Sequence, residues 1–244
     1  HHRVAAFITN LGAPFSHTAI LARNLEIPAL VAVHNATRYV RDGEELIVDG
    51  KLGVLIVAPE KSVIAEYKQR QKEIALLRRE LAMLTQSRTV TRDGTPIALY
   101  ANIELPDDIK AVNKVAAAGV GLYRTEFLFM NRPDLPGEDE QFRAYVKVVK
   151  ALAGKPVTIR TLDLGADKSA DGAAMPHDKV STNPALGLRA VRLCLHDVSL
   201  FRPQLRAILR ASAFGDVRMM IPMLSSLDEL FRVLDLVQEL EAEL

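Results

Sequence analysis

The stretch VGLYRTEF, at residues 120–127, decides the fold that the sequence predicts, because it places two charged side chains in an apolar run. Successive side chains of a strand alternate between its faces, so Leu122, Arg124 and Glu126 are expected on one face. An arginine and a glutamate on an apolar strand are costly unless they pair or bind a ligand. From spacing alone, a structural Arg124–Glu126 ion pair and an anion-binding site are equally good interpretations.

A second stretch, TIRTLDLG at residues 158–165, repeats the pattern and places Arg160 near the carboxyl end of a predicted strand. In a (β/α)8 barrel, the carboxyl ends of the strands hold the active site. Two arginines on neighbouring strands would clamp a phosphate or carboxylate with forked hydrogen bonds. Asp167, Lys168 and Arg189 follow and would add charge there. The alternative for Arg160 and Arg189 is a solvated or structurally paired arginine.

Predicted strands and helices alternate around these two stretches from residue 89 to the end of the sequence. The predicted strands cover residues 96–103, 120–129, 156–162 and 217–223. The predicted helices cover residues 107–118, with Gly119 as a cap, and then 138–153, 183–195, 200–214 and 227 onward. This alternation predicts parallel strands with right-handed crossovers. Four such units are half of an eight-unit barrel; an open sheet is the alternative, and the positions of the arginines favour the barrel.

The first part of the sequence, to about residue 58, also alternates between strand and helix, with a histidine at its clearest helix start. A predicted strand at residues 4–9 leads into GAPFSHTAILAR, residues 12–23, where Ser16 occupies the N-cap position and His17 follows it. The positive end of a helix suits a group that carries an anion, such as a phosphate on an imidazole. The alternative is a histidine that only assists the cap. Three more strands are predicted at residues 28–33, 45–50 and 53–57, the last two joined by a turn at residues 49–51.

Residues 59–85 show apolar residues at helical spacing among interleaved acids and bases, with pairs such as Glu66 and Arg70 four residues apart. This pattern predicts a solvated connecting helix and disfavours a nucleic-acid patch. The sequence therefore predicts three parts. Residues 1–58 form a small β/α domain, residues 59–88 a connecting helix, and residues 89–244 the first half of a barrel.

Composition excludes several classes of function. The 244 residues include 31 basic and 30 acidic side chains, so their net charge of +1 indicates no overall attraction to nucleic acid or membrane. There is no apolar run long enough for a membrane span, no Walker-type loop and no zinc motif, and we expect no signal peptide. The single cysteine, Cys194, lies in an apolar helical run and is expected in the core, in a reducing compartment. Because the sequence begins inside a predicted strand and ends inside a predicted helix, we expect a fragment.

Five motifs, in order along the chain, resemble those of a known family. The first, residues 16–23 followed by Ile27-Pro28-Ala29, is similar to the phosphohistidine segment of the phosphoenolpyruvate (PEP)-utilising enzymes. The other four narrow the resemblance to enzyme I of the PEP:sugar phosphotransferase system, and they lie at residues 121–130, 160–168, 183–189 and 204–212. The chain departs from the family's pattern at Ala13, Phe15 and Ala166, where the family usually has glycine, threonine and glycine.

The resemblance implies a fold and a set of roles. The fold would be the C-terminal part of a phosphohistidine swivelling β/α domain, a connecting helix and the first half of a PEP-binding (β/α)8 barrel. His17 would accept the phosphoryl group of PEP and pass it to the carrier protein HPr. Arg124 and Arg160 would hold the phosphate of PEP, and Arg189 would be a third basic residue there. Mg²⁺ would offset charge during transfer, with its ligands in the second half of the barrel and none expected in this chain.

The resemblance also implies a cytoplasmic protein that forms a homodimer through the second half of the barrel and has no nucleic-acid or membrane partner. By itself, the chain would be inactive. Three alternatives stay open: a regulatory nitrogen-branch paralogue, a pyruvate phosphate dikinase or PEP synthase, and a phosphate-binding barrel without phosphoryl transfer. The sequence motif YRTEF at residues 123–127 disfavours the dikinase and the synthase.

Overall fold

The structure is a computed structural model that describes residues 4–12, 19, 22, 27–130, 132, 134–164 and 187–244. It divides into two compact units, His1–Leu84 and Thr85–Leu244. No helix among these described residues combines the length and the apolar character that crossing a membrane requires. The predicted boundaries at residues 58 and 88 remain a proposal.

The first unit contains two small pairs of strands. Strands β1 (Phe7–Ile8) and β2 (Ala29–Leu30) pair in parallel, whereas β3 (Leu46–Asp49) and β4 (Val54–Val57) form an antiparallel hairpin. The carboxylate of Asp49 closes the predicted hairpin turn by accepting the backbone N–H groups of Lys51 and Leu52 at 3.0 and 2.9 Å. A short helix, α1 (Ala36–Tyr39), separates the two pairs along the chain. The predicted N-cap Ser16 and His17 lie outside the described residues.

The long helix that the sequence predicts is α2 (Lys61–Met83), and it contains no buried residue. Glu66 and Arg70 form the predicted ion pair at 2.7 Å along its surface. A short 3-10 turn, Leu84–Gln86, follows it. The prediction of a solvated helix in this stretch is therefore confirmed.

The second unit is built on a four-stranded parallel sheet. Its strands are β5 (Ala101–Ile103), β6 (Val120–Arg124), β7 (Val157–Arg160) and β8 (Val217–Met220), and they lie in the order β5-β6-β7-β8. Each strand lies beside the one that precedes it in sequence. A doubly wound open sheet would instead reverse direction at a switch point. The α/β class and the half-barrel topology that the sequence predicts are thus confirmed.

Helices pack on one face of this sheet, and the alternation along the strands decides which face. The helices are α3 (Ile109–Lys114), α4 (Glu138–Ala151), α5 (Ala190–His196), α6 (Val198–Ser212) and α7 (Leu227–Glu243). Tyr123 in β6 and Ile159 in β7 are fully buried in a core shared with α4 and α6. Because successive side chains alternate, their neighbours Arg124 and Arg160 lie on the opposite face.

One predicted strand, residues 120–129, is wrong at its C-terminal end. Strand β6 ends at Arg124, and Thr125–Leu128 forms a 3-10 turn in which the N–H of Phe129 donates to the carbonyl of Glu126 at 2.9 Å. Glu126 therefore does not belong to the strand face that carries Leu122 and Arg124. Similarly, the strand predicted at residues 96–103 forms only over Ala101–Ile103, after an isolated bridge between Val90 and Pro96.

The helix predicted at residues 107–118, with Gly119 as its cap, is also wrong at its C-terminal end. A 3-10 turn at Pro106–Asp108 precedes α3, which ends at Lys114, and the left-handed residue beyond it is Ala116, with a φ of 53°. Gly119 has another role, because a β-carbon there would collide with the carbonyl oxygen of Pro156. Its small size lets β6 approach β7 closely at the start of both strands. Of the helix predicted from residue 183, residues 183–186 lie outside the described residues, residues 187–189 are not helical, and α5 begins at Ala190.

Candidate functional site

Three arginines and three carboxylates gather at the carboxyl-terminal edge of the sheet. Arg124 and Arg160 are the last residues of β6 and β7, and their Cα atoms are register partners. The other four residues follow strands or precede α5, and they are Glu104, Glu126, Asp163 and Arg189. The sequence predicted the three arginines. It missed Glu104 and gave no role to Asp163, although the position of each just after a predicted strand was an available signal.

Arg124 pairs with Glu104, whose residue position directly follows β5. The Nη1 of Arg124 lies 2.9 Å from the Oε1 of Glu104, and the two side chains are 43% and 32% exposed. The interpretation of Arg124 and Glu126 as an ion pair is therefore wrong, because the 3-10 turn carries Glu126 towards β7 instead. A pair that is this exposed has little net strength, so Arg124 can exchange its partner at small cost.

Arg160 is held more firmly, by two carboxylates. Its Nη2 lies 2.6 Å from the Oε1 of Glu126, whose side chain is 9% exposed, and its Nη1 lies 3.1 Å from the Oδ2 of Asp163. The backbone N–H of Asp163 also donates to the Oε1 of Glu126, at 3.2 Å. The carboxylate of Asp163 extends the cluster to Arg189, whose Nη2 lies 3.2 Å from its Oδ1. Arg160, Asp163 and Arg189 thus form one continuous charged group.

Two donors of this group have no acceptor within the part of the chain that the structure describes. They are the buried Nε groups of Arg160 and Arg189. A buried donor without a partner costs about 1–3 kcal/mol, so a site that contains two of them favours a ligand with acceptor oxygens. A phosphate or carboxylate offers such oxygens in the planar arrangement that a guanidinium fork matches.

The three guanidinium groups and three carboxylates cancel in formal charge, so an anion with several charges needs further cations to bind tightly. The predicted Lys168, together with Asp167, lies outside the described residues. Mg²⁺ has no site among the residues that the structure describes, since they contain no group of three His, Cys, Asp or Glu able to hold a metal ion. The carboxylates of Glu104, Glu126 and Asp163 are already engaged with arginines. This part of the chain therefore does not fit the metal, and we derive no step through it.

Cys194 is not part of the site. It is 1% exposed within the core formed by α5, α6 and α7. Burial, with a smaller contribution from the charge of Asp197, raises the pKa of its thiol to about 12. Because the thiolate is the nucleophilic form, this thiol is unreactive at neutral pH, and the prediction of a core cysteine is confirmed.

A half-barrel with an arginine cluster at the carboxyl ends of its strands is typical of α/β proteins that bind anionic ligands, and comparison with known families makes the class specific. Residues 78–244 match the PEP-binding domain of the PEP-utilising enzymes, and residues 1–53 match the mobile domain of the same enzymes. The chain belongs to the family of PEP-utilising enzymes.

Several curated proteins named phosphoenolpyruvate-protein phosphotransferase are similar to the chain. The protein from Cupriavidus necator is 49% identical over 239 residues, which are 98% of this chain and 41% of that protein. The Staphylococcus carnosus protein is 44% identical over 241 residues, 99% of this chain and 42% of that protein. The Bacillus subtilis protein is 45% identical over 226 residues, 93% of this chain and 39% of that protein. The chain thus spans about two fifths of the length of these relatives.

Proposed function

We propose that the chain is the central part of a PEP–protein phosphotransferase that moves a phosphoryl group from PEP to His17 and then to HPr. The observation that carries the proposal is the register pairing of Arg124 with Arg160 at the carboxyl-terminal edge of the sheet. The names of the similar proteins support the same donor and reaction. In this proposal the described residues supply the donor site, and His17 is the acceptor.

The three arginines hold the anion and stabilise the charge that moves during transfer. Arg160 and Arg189 are fixed beforehand by Glu126 and Asp163, so they need little reorganisation when the phosphate arrives. Arg124 is the more exposed of the two strand arginines and leaves Glu104 to complete the clamp. Phosphoryl transfer depends chiefly on positioning and electrostatic stabilisation, which forked guanidinium contacts provide.

The chemical step joins the phosphorus of PEP to a nitrogen of the neutral His17 imidazole. The bond between phosphorus and the enol oxygen breaks, and the enolate of pyruvate leaves with the electron pair. The enolate then takes up a proton from water at its terminal carbon, which gives pyruvate. Mg²⁺ belongs to the proposal only as a cofactor that groups outside the described residues would hold, where it would offset charge on the phosphate. Further parts of the proposal are a role in sugar transport, a cytoplasmic location, a homodimer and a division at residues 1–58, 59–88 and 89–244.

The test uses the full-length protein that contains this chain, incubated with PEP labelled in its phosphoryl group and with Mg²⁺. We expect an acid-labile label that disappears in His17→Ala. A matched control is His34→Ala, which removes an exposed histidine of the same unit and should keep the label. Label that persists in His17→Ala would refute the role of His17, and an unlabelled wild-type protein would refute the proposed transfer.

A further inference from the structure

Gln204 is a polar side chain that the core holds behind the arginine cluster. It lies on α6 (Val198–Ser212) and is 1% exposed. Its amide oxygen accepts the backbone N–H of Leu162 at 2.9 Å, and its amide nitrogen donates to the hydroxyl groups of Thr125 at 3.1 Å and Tyr145 at 3.3 Å. A buried amide that uses both ends in this way holds its partners in fixed positions.

Two of the three partners of Gln204, Thr125 and Leu162, are adjacent in sequence to residues of the candidate site. Thr125 directly follows Arg124, and its hydroxyl donates to the backbone carbonyl of Arg160 at 2.9 Å. Leu162 directly precedes Asp163, the carboxylate that joins Arg160 to Arg189. One side chain thereby connects Thr125, the first residue after β6, with Leu162, the second residue after β7. Each of these contacts lies on the helix side of the sheet, opposite the arginines.

We propose that Gln204 is a positioning residue that fixes the relative placement of Arg124 and Arg160 for the phosphate of the substrate. This inference rests on the proposed function, because it concerns how the same site holds PEP. Two guanidinium groups that share one phosphate tolerate only a small change of spacing, and a misplacement of about 1 Å reduces rates by about 100-fold. Loss of the Gln204 amide leaves the Leu162 N–H without its acceptor and the Thr125 hydroxyl held only by the Arg160 carbonyl, and the ends of the strands can then shift.

The chain offers a close match for a control in Gln141. This glutamine is also 1% exposed, lies on α4, and belongs to the same buried polar network. Its amide nitrogen donates to the carbonyl of Pro136 at 3.0 Å, and its amide oxygen accepts the hydroxyl of Tyr145 at 3.0 Å. Neither contact involves β6 or β7. Replacing each glutamine by methionine therefore separates a loss of stability from a loss of positioning.

The experiment compares Gln204→Met and Gln141→Met in the full-length protein, by thermal unfolding and by the kinetics of phosphorylation with labelled PEP. We expect both variants to unfold at lower temperature. We expect Gln204→Met to raise the KM for PEP about tenfold, because it removes the contacts that position the strand ends. Gln141→Met leaves those contacts in place and should keep the KM within about twofold of the wild-type value. Phosphorylation of His17 from phospho-HPr does not use the PEP clamp and should stay at the wild-type rate in both.

A second pair of variants covers the case in which Gln204→Met does not fold. Thr125→Val removes the hydroxyl that joins Gln204 to the Arg160 carbonyl and should raise the KM for PEP. Thr125→Ser keeps the hydroxyl and should have the wild-type KM. Thr161→Val is the control, since Thr161 is fully buried and its hydroxyl has no partner in the described chain. Equal KM values for Gln204→Met and Gln141→Met, or a wild-type KM in Thr125→Val, would overturn the inference alone. A wild-type protein that PEP does not label would overturn the proposed function and the inference together.

Discussion

Arg124 and Arg160 are register partners on neighbouring parallel strands, yet their surroundings differ. Arg124 pairs with a single carboxylate and is 43% exposed, whereas Arg160 pairs with two carboxylates and is 20% exposed. In the proposed function, the fixed arginine would set the place of the anion, and the more exposed one would close on it. The proposed function needs both arginines, because both would contact the same phosphate.

Replacing either arginine by alanine should reduce kcat/KM for PEP by at least about 100-fold, because each substitution removes a charge-assisted fork to the phosphate. Phosphorylation of His17 in reverse, from phospho-HPr, should largely persist. The control is Arg218→Ala, which removes an exposed arginine of β8 that forms an ion pair with Asp216. Equal losses in both directions of transfer would mean that Arg124 and Arg160 are structural.

If Arg124 holds the phosphate as proposed, Glu104 would compete with PEP for it, so the loss of its charge should strengthen the binding of PEP. We expect Glu104→Gln, which keeps the size of the side chain, to lower the KM for PEP by about two- to fivefold, since exposed ion pairs are worth only about 0.2–1 kcal/mol. The measurement is the initial rate of phosphorylation over a range of PEP concentrations at low salt. Asp216→Asn removes the ion-pair partner of Arg218, an arginine elsewhere on the sheet that is 55% exposed, and should leave the KM unchanged. A higher KM in Glu104→Gln would mean that Glu104 orients Arg124 instead of competing for it.

The alternation of strands with helices and the positions of Arg124 and Arg160 were readable from the sequence, because both follow from periodicity and from the cost of charge on an apolar strand. The residues that pair with the arginines could not be predicted from the sequence. Glu126 lies in a 3-10 turn that follows β6, and from there it pairs with Arg160 at the end of β7. Gln204 belongs to the site only because α6 packs behind β6 and β7, and no spacing within one segment predicts such a contact. Long-range pairing therefore decided what local patterns left open.

Ala153 provides a test of backbone conformation that is independent of function. It follows the C-terminus of α4 with a φ of 51°, in the left-handed region that favours glycine. Ala153→Gly should raise the free energy of unfolding by about 0.5–1 kcal/mol, because relief of this strain exceeds the added freedom of the unfolded chain. Ala151→Gly is the matched control within the helix, where glycine should lower stability by about 0.5–1 kcal/mol. Changes of opposite sign in the free energy of unfolding, measured by chemical denaturation, would support this interpretation. Equal losses of stability in both variants would contradict it.

The buried thiol of Cys194 should make the protein less stable as the pH rises above 9. Burial raises the pKa of its thiol from 9.0 to about 12, so the folded protein keeps this proton at pH values where the unfolded chain has lost it. Above pH 9 the unfolded state then binds fewer protons than the folded state, and stability falls as pH rises. The contribution of this thiol is fully present below pH 9 and is lost progressively towards pH 12, with a slope of at most about 1.4 kcal/mol per pH unit.

The same burial gives a direct chemical measurement on the full-length protein. Iodoacetamide at pH 8–10 should modify the Cys194 peptide at least about 100-fold more slowly in the native protein than in urea, because the thiolate is the reactive form and the native thiol stays protonated. Mass spectrometry of that peptide distinguishes it from any other cysteine. In Cys194→Ala, the alkaline loss of stability should be shallower by the slope of one proton, since alanine fits the same core position without a titrating group. Rapid alkylation of the native protein, or an unchanged slope of stability against pH in Cys194→Ala, would mean that the core around α5 and α6 opens readily. Such opening would also contradict a fixed position of Gln204 on α6.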